Sequence, residues 1–187
     1  MFVISIGKYN LRIGKGVGFW KDEIWLNGSV TQKVADQICS YLDTTRYDKV
    51  MFAINSGGGD TSAMDRIIDR IDEFNKERTL NTVAVGMAAS AAFELFLTGK
   101  ERLITPCSQL MFHDSVIDFS ACKCTWTMRE LREKVRWLEA ISQASRIWVA
   151  HRTGLSVSAL KKMTKHHKEK WFTAEECLKY KIATKMV

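Results

Sequence analysis

The residue types able to do chemistry fall in three short segments. Ile54-Asn55-Ser56 runs into a triple glycine, Gly57-Gly58-Gly59; a stretch of small residues, Gly86-Met87-Ala88-Ala89-Ser90-Ala91-Ala92, carries one hydroxyl; and Leu110-Met111-Phe112 ends on His113. Glycines allow positive φ and let a ligand approach backbone N–H groups. A serine in the first turn of a helix stands beside unpaired N–H donors and the positive end of the dipole, which can stabilise a developing oxyanion. An imidazole at a strand end can act as general base for that hydroxyl. Together these are the parts of an acyl-transfer site. Each alone has a plainer explanation: a tight turn, a helix N-cap, a packed histidine. The glycines match neither a P-loop nor a dinucleotide fingerprint, and Ser90 lacks the G-x-S-x-G elbow.

The elements between these segments must bring them to one place. Val34, Ile38 and Leu42 at four-residue steps predict a helix from Thr31, and Met64, Ile67, Ile68, Ile71 and Phe74 predict a second. Strands are expected at Phe2–Ile6, Glu23–Leu26, Lys49–Ile54, Thr82–Val85, Arg102–Ile104 and Leu110–His113, with a short helix over Ala88–Leu97. This alternation implies an α/β fold with a mostly parallel sheet and flanking helices. Loops leaving the C-terminal strand ends of such a sheet converge on one edge, where all three segments would lie. Beyond them, a capping box at Thr127-Met-Arg-Glu130 opens a long helix to His151, closed by Gly154. A second box, Thr173-Ala-Glu-Glu176, opens a short helix ending near Tyr180, before a strand-like Ile182–Val187. With no repeat or composition shift, residues 1–187 read as a single domain.

Composition narrows the function classes. The chain is 46% hydrophobic with 28 Lys+Arg against 21 Asp+Glu, so a disordered or fibrous protein is excluded and a real core can be built at this length. Five scattered cysteines suit a reducing compartment, and no apolar run is long enough for a signal core or a membrane span; a cytoplasmic location is expected. The net charge of +7 concentrates only at Lys161–Lys170, a pattern usual for a solvated face, so nucleic acid is not an expected partner. Cys122 and Cys124 with His166 and His167 have the wrong spacing for a zinc site, and neither a metal nor another cofactor is expected.

The three segments, in this order and rough spacing, resemble the glycine loop, nucleophile and histidine motifs of the Clp protease proteolytic subunit (ClpP) family. The likeness continues through Trp148-Val149-Ala150-His151-Arg152-Thr153-Gly154 and Trp171-Phe172-Thr173-Ala174-Glu175-Glu176, and so covers residues 24–184. The resemblance implies a crotonase-like (ClpP-like) fold with a long protruding helix, and a serine endopeptidase in which Ser90 attacks the scissile carbonyl and His113 removes its proton. It also implies an oxyanion hole from backbone N–H groups of the Gly58-Gly59 pair and Ala91. Partners implied are a homo-oligomeric ring joined through the helix from Thr127, a polypeptide substrate, and an AAA+ unfoldase or, as for phage members, capsid proteins.

Two departures bear on activity. Gly57 stands where the family has proline, and Lys165-His166-His167-Lys168-Glu169-Lys170 stands where it has its catalytic aspartate. Glu169 is the nearest match for the third catalytic residue; Asp114 is a poor substitute, because neighbours on a strand point to opposite faces. The missing aspartate motivates an alternative, a catalytically silent scaffolding or assembly subunit. A crotonase-type acyl-CoA enzyme is a third reading, disfavoured by Ser90 with His113, which that chemistry does not require.

Overall fold

The computed structural model describes residues 2–6, 9–13, 16–20, 22–117, 125–166 and 168–187. Strands β1 (Phe2–Ile6) and β2 (Tyr9–Ile13) pair with each other, and β3 (Gly16–Trp20) runs antiparallel to β4 (Glu23–Asn27). From β4 onward the chain alternates: α1 (Gln32–Thr44), β5 (Lys49–Ser56), α2 (Thr61–Glu77), β6 (Thr79–Ala89), α3 (Ala91–Phe96) and β7 (Arg102–Ile104). Then follow β8 (Gln109–Phe112), α4 (Met128–Arg152), α5 (Val157–Met163), β9 (Lys170–Phe172), α6 (Ala174–Lys179) and β10 (Lys185–Met186).

The main sheet has the order β10-β7-β6-β5-β4-β3, and every pairing from β4 to β10 along it is parallel. Helices α1 and α2 bury Val34, Ile38 and Leu42, and Ile67, Ile71 and Phe74, the stripes their spacing predicts. Thr31 caps α1 through its side chain, Asp60 caps α2, and both predicted capping boxes, at Thr127 and Thr173, are formed.

The sequence expectation for β6 needs correcting. The strand runs through Ala88 and Ala89, where the pattern predicts a helix, because the chain is kinked rather than ended at Gly86. The β5–β6 register slips between Ile54, opposite Ala84, and Ser56, opposite Ala88. The extra residues find side-chain partners: the Gly86 N–H donates to Ser108 Oγ (2.9 Å) and the Met87 N–H to Asn55 Oδ1 (3.1 Å). Gly86 has φ +97, and a Cβ there would lie 2.9 Å from Asn55 Oδ1. Past the kink, β6 leaves β7 and pairs with β8 through Met87–Ala89. Helix α5, which leads into the basic run, and strand β9, which begins at its end, have no counterpart among the sequence expectations.

Candidate active site

The β6–β8 pairing ends on Ala89 opposite Met111, and the Ser90 N–H donates to the Met111 carbonyl oxygen (2.9 Å). Ser90 therefore leaves the strand beside the residues that lead to His113. Its backbone is at φ +56, ψ −126, a region costing a non-glycine residue on the order of 1–3 kcal/mol. The sequence pattern puts Ser90 inside the first helical turn, whereas it precedes that turn. Its hydroxyl makes no N-cap hydrogen bond, so the plain capping role does not apply. A strained strand-to-helix turn that exposes a serine is the geometry of a nucleophile elbow, reached here without its sequence signature.

The glycine loop packs directly on this turn. A Cβ on Gly58 would lie 2.7 Å from both Ser90 Cβ and the Ala89 carbonyl oxygen, and one on Gly59 would lie 2.2 Å from the Val30 carbonyl oxygen. Their φ values of +96 and +150 also require glycine. Val30 pins the loop on both sides, its N–H donating to the Gly58 carbonyl (2.9 Å) and its carbonyl accepting from the Asp60 N–H (3.0 Å). Between them, the Gly59 N–H makes no hydrogen bond among the described residues. The Gly58 N–H donates to buried Ser56 Oγ (3.1 Å), which leaves it a supporting position in the loop. Ala91 is the first residue of α3 and has no carbonyl four residues back within the helix to satisfy its N–H.

His113 follows β8, and its Nδ1 lies 2.5 Å from the Asp114 carbonyl oxygen. A carbonyl only accepts, so this contact places the hydrogen on Nδ1 and leaves Nε2 with its lone pair, the tautomer a general base needs. The Asp114 carboxylate turns away to Arg146 of α4 in a two-point ion pair (2.9 and 2.6 Å). Arg146 is a neighbour of the candidate site that sequence reasoning missed; the signal was a charged residue on the buried stripe of α4 that includes Ser142 and Val149.

Glu169 is not in contact with His113. Its Oε2 accepts from the Trp171 indole N–H (3.1 Å). β8 and β9 pair Leu110 with Phe172, Met111 with Trp171 and Phe112 with Lys170, and the pairing ends there, one residue short of His113 and Glu169. Continued by one step, this register would put His113 and Glu169 on the face of Met111 and Trp171. Cys122, Cys124 and His167 of the disfavoured zinc set lie outside the described residues. No group of three or more potential metal ligands occurs among the described residues.

A mostly parallel sheet whose kinked central strand delivers a serine onto a glycine loop, with a histidine strand beside it, defines a crotonase-like α/β protein. The family model for Clp protease matches residues 18–187, and the chain belongs to that family. It is 27% identical over 164 residues to the ATP-dependent Clp protease proteolytic subunit 2 of Tropheryma whipplei, covering 84% of this chain and 86% of the relative. It is 28% identical over 172 residues to the ATP-dependent Clp protease proteolytic subunit 1 of Bifidobacterium longum, covering 88% and 70%. In fold it is similar to a point mutant of ClpP1 from Listeria monocytogenes, with a TM-score of 0.77 at 21% identity over 89% of this chain and 91% of that one.

Proposed function

We propose that this chain is a serine endopeptidase in which Ser90 Oγ attacks the scissile carbonyl while His113 Nε2 takes its proton. The N–H groups of Gly59 and Ala91 hold the oxyanion of the tetrahedral intermediate, and the imidazolium returns the proton to the leaving amine. Glu169 is the carboxylate that stabilises this imidazolium, after its side chain rotates from Trp171 to His113. The observation that carries the reading is the strained Ser90 backbone set against two obligatory glycines. No side-chain cap bond accounts for that strain, which suits a serine presented as a nucleophile. Labelling by a fluorophosphonate probe tests it, because the reaction needs nucleophile, base and oxyanion hole at once. Labelling should occur and vanish in Ser90→Ala; an unlabelled wild-type chain would favour the silent scaffolding subunit.

The chain is further proposed to act as one domain in a homo-oligomeric ring in the cytoplasm, receiving polypeptides from an AAA+ ATPase or acting on phage capsid proteins. Support for self-association comes from the first half of α4, where Leu131, Val135 and Trp137 are 37, 56 and 54% exposed. No helix among the described residues is long and apolar enough to cross a membrane. Native mass spectrometry at micromolar concentration should give an oligomer, and a monomer of 21.4 kDa at all concentrations would contradict the ring.

A further inference from the structure

A cleft of about 620 Å³ begins where each of the three site segments ends. Its lining includes Thr61, two residues after Gly59; Glu94, one helical turn after Ser90; and Ser115, two residues after His113. The chain therefore carries each site segment directly into the wall of the cleft. The far wall is α4, which contributes Trp137 and Trp148 but no charged residue. The volume is within the ordinary range for ligand sites and leaves room for a long side chain with water beside it.

The charged side chains lining the cleft are all acidic; the nearest cations stand behind its tryptophans, Arg152 3.9 Å from the centroid of the Trp148 ring and Lys134 5.9 Å from that of Trp137. Glu94 projects from α3, and Asp65 and Asp69 from exposed positions of α2. Ser145 Oγ donates to Glu94 Oε1 (2.7 Å), which fixes the carboxyl; Oε2 has no hydrogen bond among the described residues. Burial pushes the Glu94 pKa up, the Ser145 bond offsets part of this, and the charge of Asp65 adds to the rise. A carboxyl so held is short of a cation. Trp faces and a carboxylate together recognise an alkylammonium or guanidinium on an apolar stem.

Building on the peptidase reading, we infer that this cleft selects substrates with lysine or arginine at the residue whose carbonyl Ser90 attacks, with Glu94 as the residue that determines this specificity. The stem packs between α2 and α4, and the cation meets Glu94 Oε2 with Asp65 and Asp69 at the rim.

The test uses the full-length chain and peptide aminocoumarin amides identical except for lysine or norleucine before the scissile bond, a pair differing in charge at almost equal stem length. Lysine should be preferred about ten- to a hundred-fold in kcat/KM, and Glu94→Gln should collapse that ratio towards one. A wild-type chain that cleaves norleucine as well as lysine overturns the specificity and leaves Ser90 standing; this holds even if Glu94→Gln fails to fold. Tryptophan emission titrated with n-butylguanidinium in Ser90→Ala reads the cleft without turnover. Emission that responds, and stops responding once Glu94→Gln is added, supports the cation site, and no response overturns it. If neither peptide is cut and no fluorophosphonate label forms, the peptidase reading falls and the substrate assignment with it, whatever the emission shows.

Discussion

Around Ser90 and Gly59, position is set by backbone: the β6–β8 ladder, the Ser90 N–H on the Met111 carbonyl, and Val30 on both sides of the loop. Around His113 and Glu169 it is set by rotatable groups, an imidazole on the Asp114 carbonyl and a carboxylate on the Trp171 indole. Displacing the first set means breaking sheet hydrogen bonds and overlapping atoms in a close-packed core. Displacing the second means turning side chains between staggered positions. The Ser90 turn and the glycine loop are thus built in during folding, whereas the His113 and Glu169 side chains are free to turn; under the proposed function this separates a fixed nucleophile and oxyanion hole from an adjustable proton-handling half.

The largest effects should come from the rigid half. Ser90→Ala keeps the Cβ that packs on Gly58 and should lower peptide turnover on the order of 10⁶-fold without altering the thermal transition, measured side by side with aminocoumarin release. Gly58→Ala should remove activity by a different route. Its Cβ overlaps Ser90 Cβ and the Ala89 carbonyl, adding about 1–3 kcal/mol of strain and lowering Tm by about 2–12 °C. A Gly58→Ala chain that is active and melts normally would show that the turn is less constrained than these distances imply.

Glu169→Gln probes the adjustable half. Loss of the orienting carboxylate in a triad typically costs about 10⁴-fold when the tautomer is lost with it. Here the Asp114 carbonyl already holds the hydrogen on Nδ1, so the expected fall in kcat is smaller, about a hundred-fold. A fall of the full size would mean that the carboxylate displaces the carbonyl in the working enzyme.

Arg146→Gln acts through Asp114. The pair is largely shielded, with side-chain exposures of 10 and 21%, and removing one partner leaves the other unpaired at a cost of about 3 kcal/mol. The freed Asp114 then holds its carbonyl less firmly against His113. Arg146→Gln should lower kcat about ten-fold and change its pH profile, while Arg146→Lys restores the charge through a single contact and recovers part of both. Unchanged kcat with lowered Tm would reduce Arg146 to a structural tie between α4 and the segment after β8.

The parts legible in the sequence are those written as local patterns. Periodic stripes locate α1 and α2, hydroxyl-to-carboxylate spacing locates both capping boxes, and a run of small residues marks the chain around Ser90, though not where the strand gives way to α3. What stays hidden depends on contacts between distant segments. The extension of β6 past Gly86 needs Asn55 and Ser108 to collect its N–H groups, and neither residue advertises that role. Strand β9 is three residues long at the end of a basic run, and only its pairing with β8 makes it a strand. Glu169 stands out in the sequence only by resemblance; the β8–β9 pairing that brings its segment beside the one leading to His113 depends on distant contacts, and nothing in the sequence marks its bond to the Trp171 indole.

The smallest expected effect is also the sharpest on the adjustable half. If Glu169 moves between Trp171 and His113, the indole competes with the imidazole for one carboxylate. Trp171→Phe removes the donor but keeps an aromatic ring at a position that is 40% exposed, so folding should be little affected. Deleting one exposed hydrogen bond is worth about 0.5–1.5 kcal/mol, which corresponds to roughly two- to ten-fold more of the Glu169–His113 arrangement. Turnover by Trp171→Phe should rise by up to that factor, and the rise should disappear when Glu169→Gln is added, because without the carboxylate there is nothing to release. Equal turnover with and without the indole, measured in the Glu169 background, would mean that Glu169 does not visit His113. The Asp114 carbonyl would then be the orienting group, and the site would work as a serine–histidine dyad.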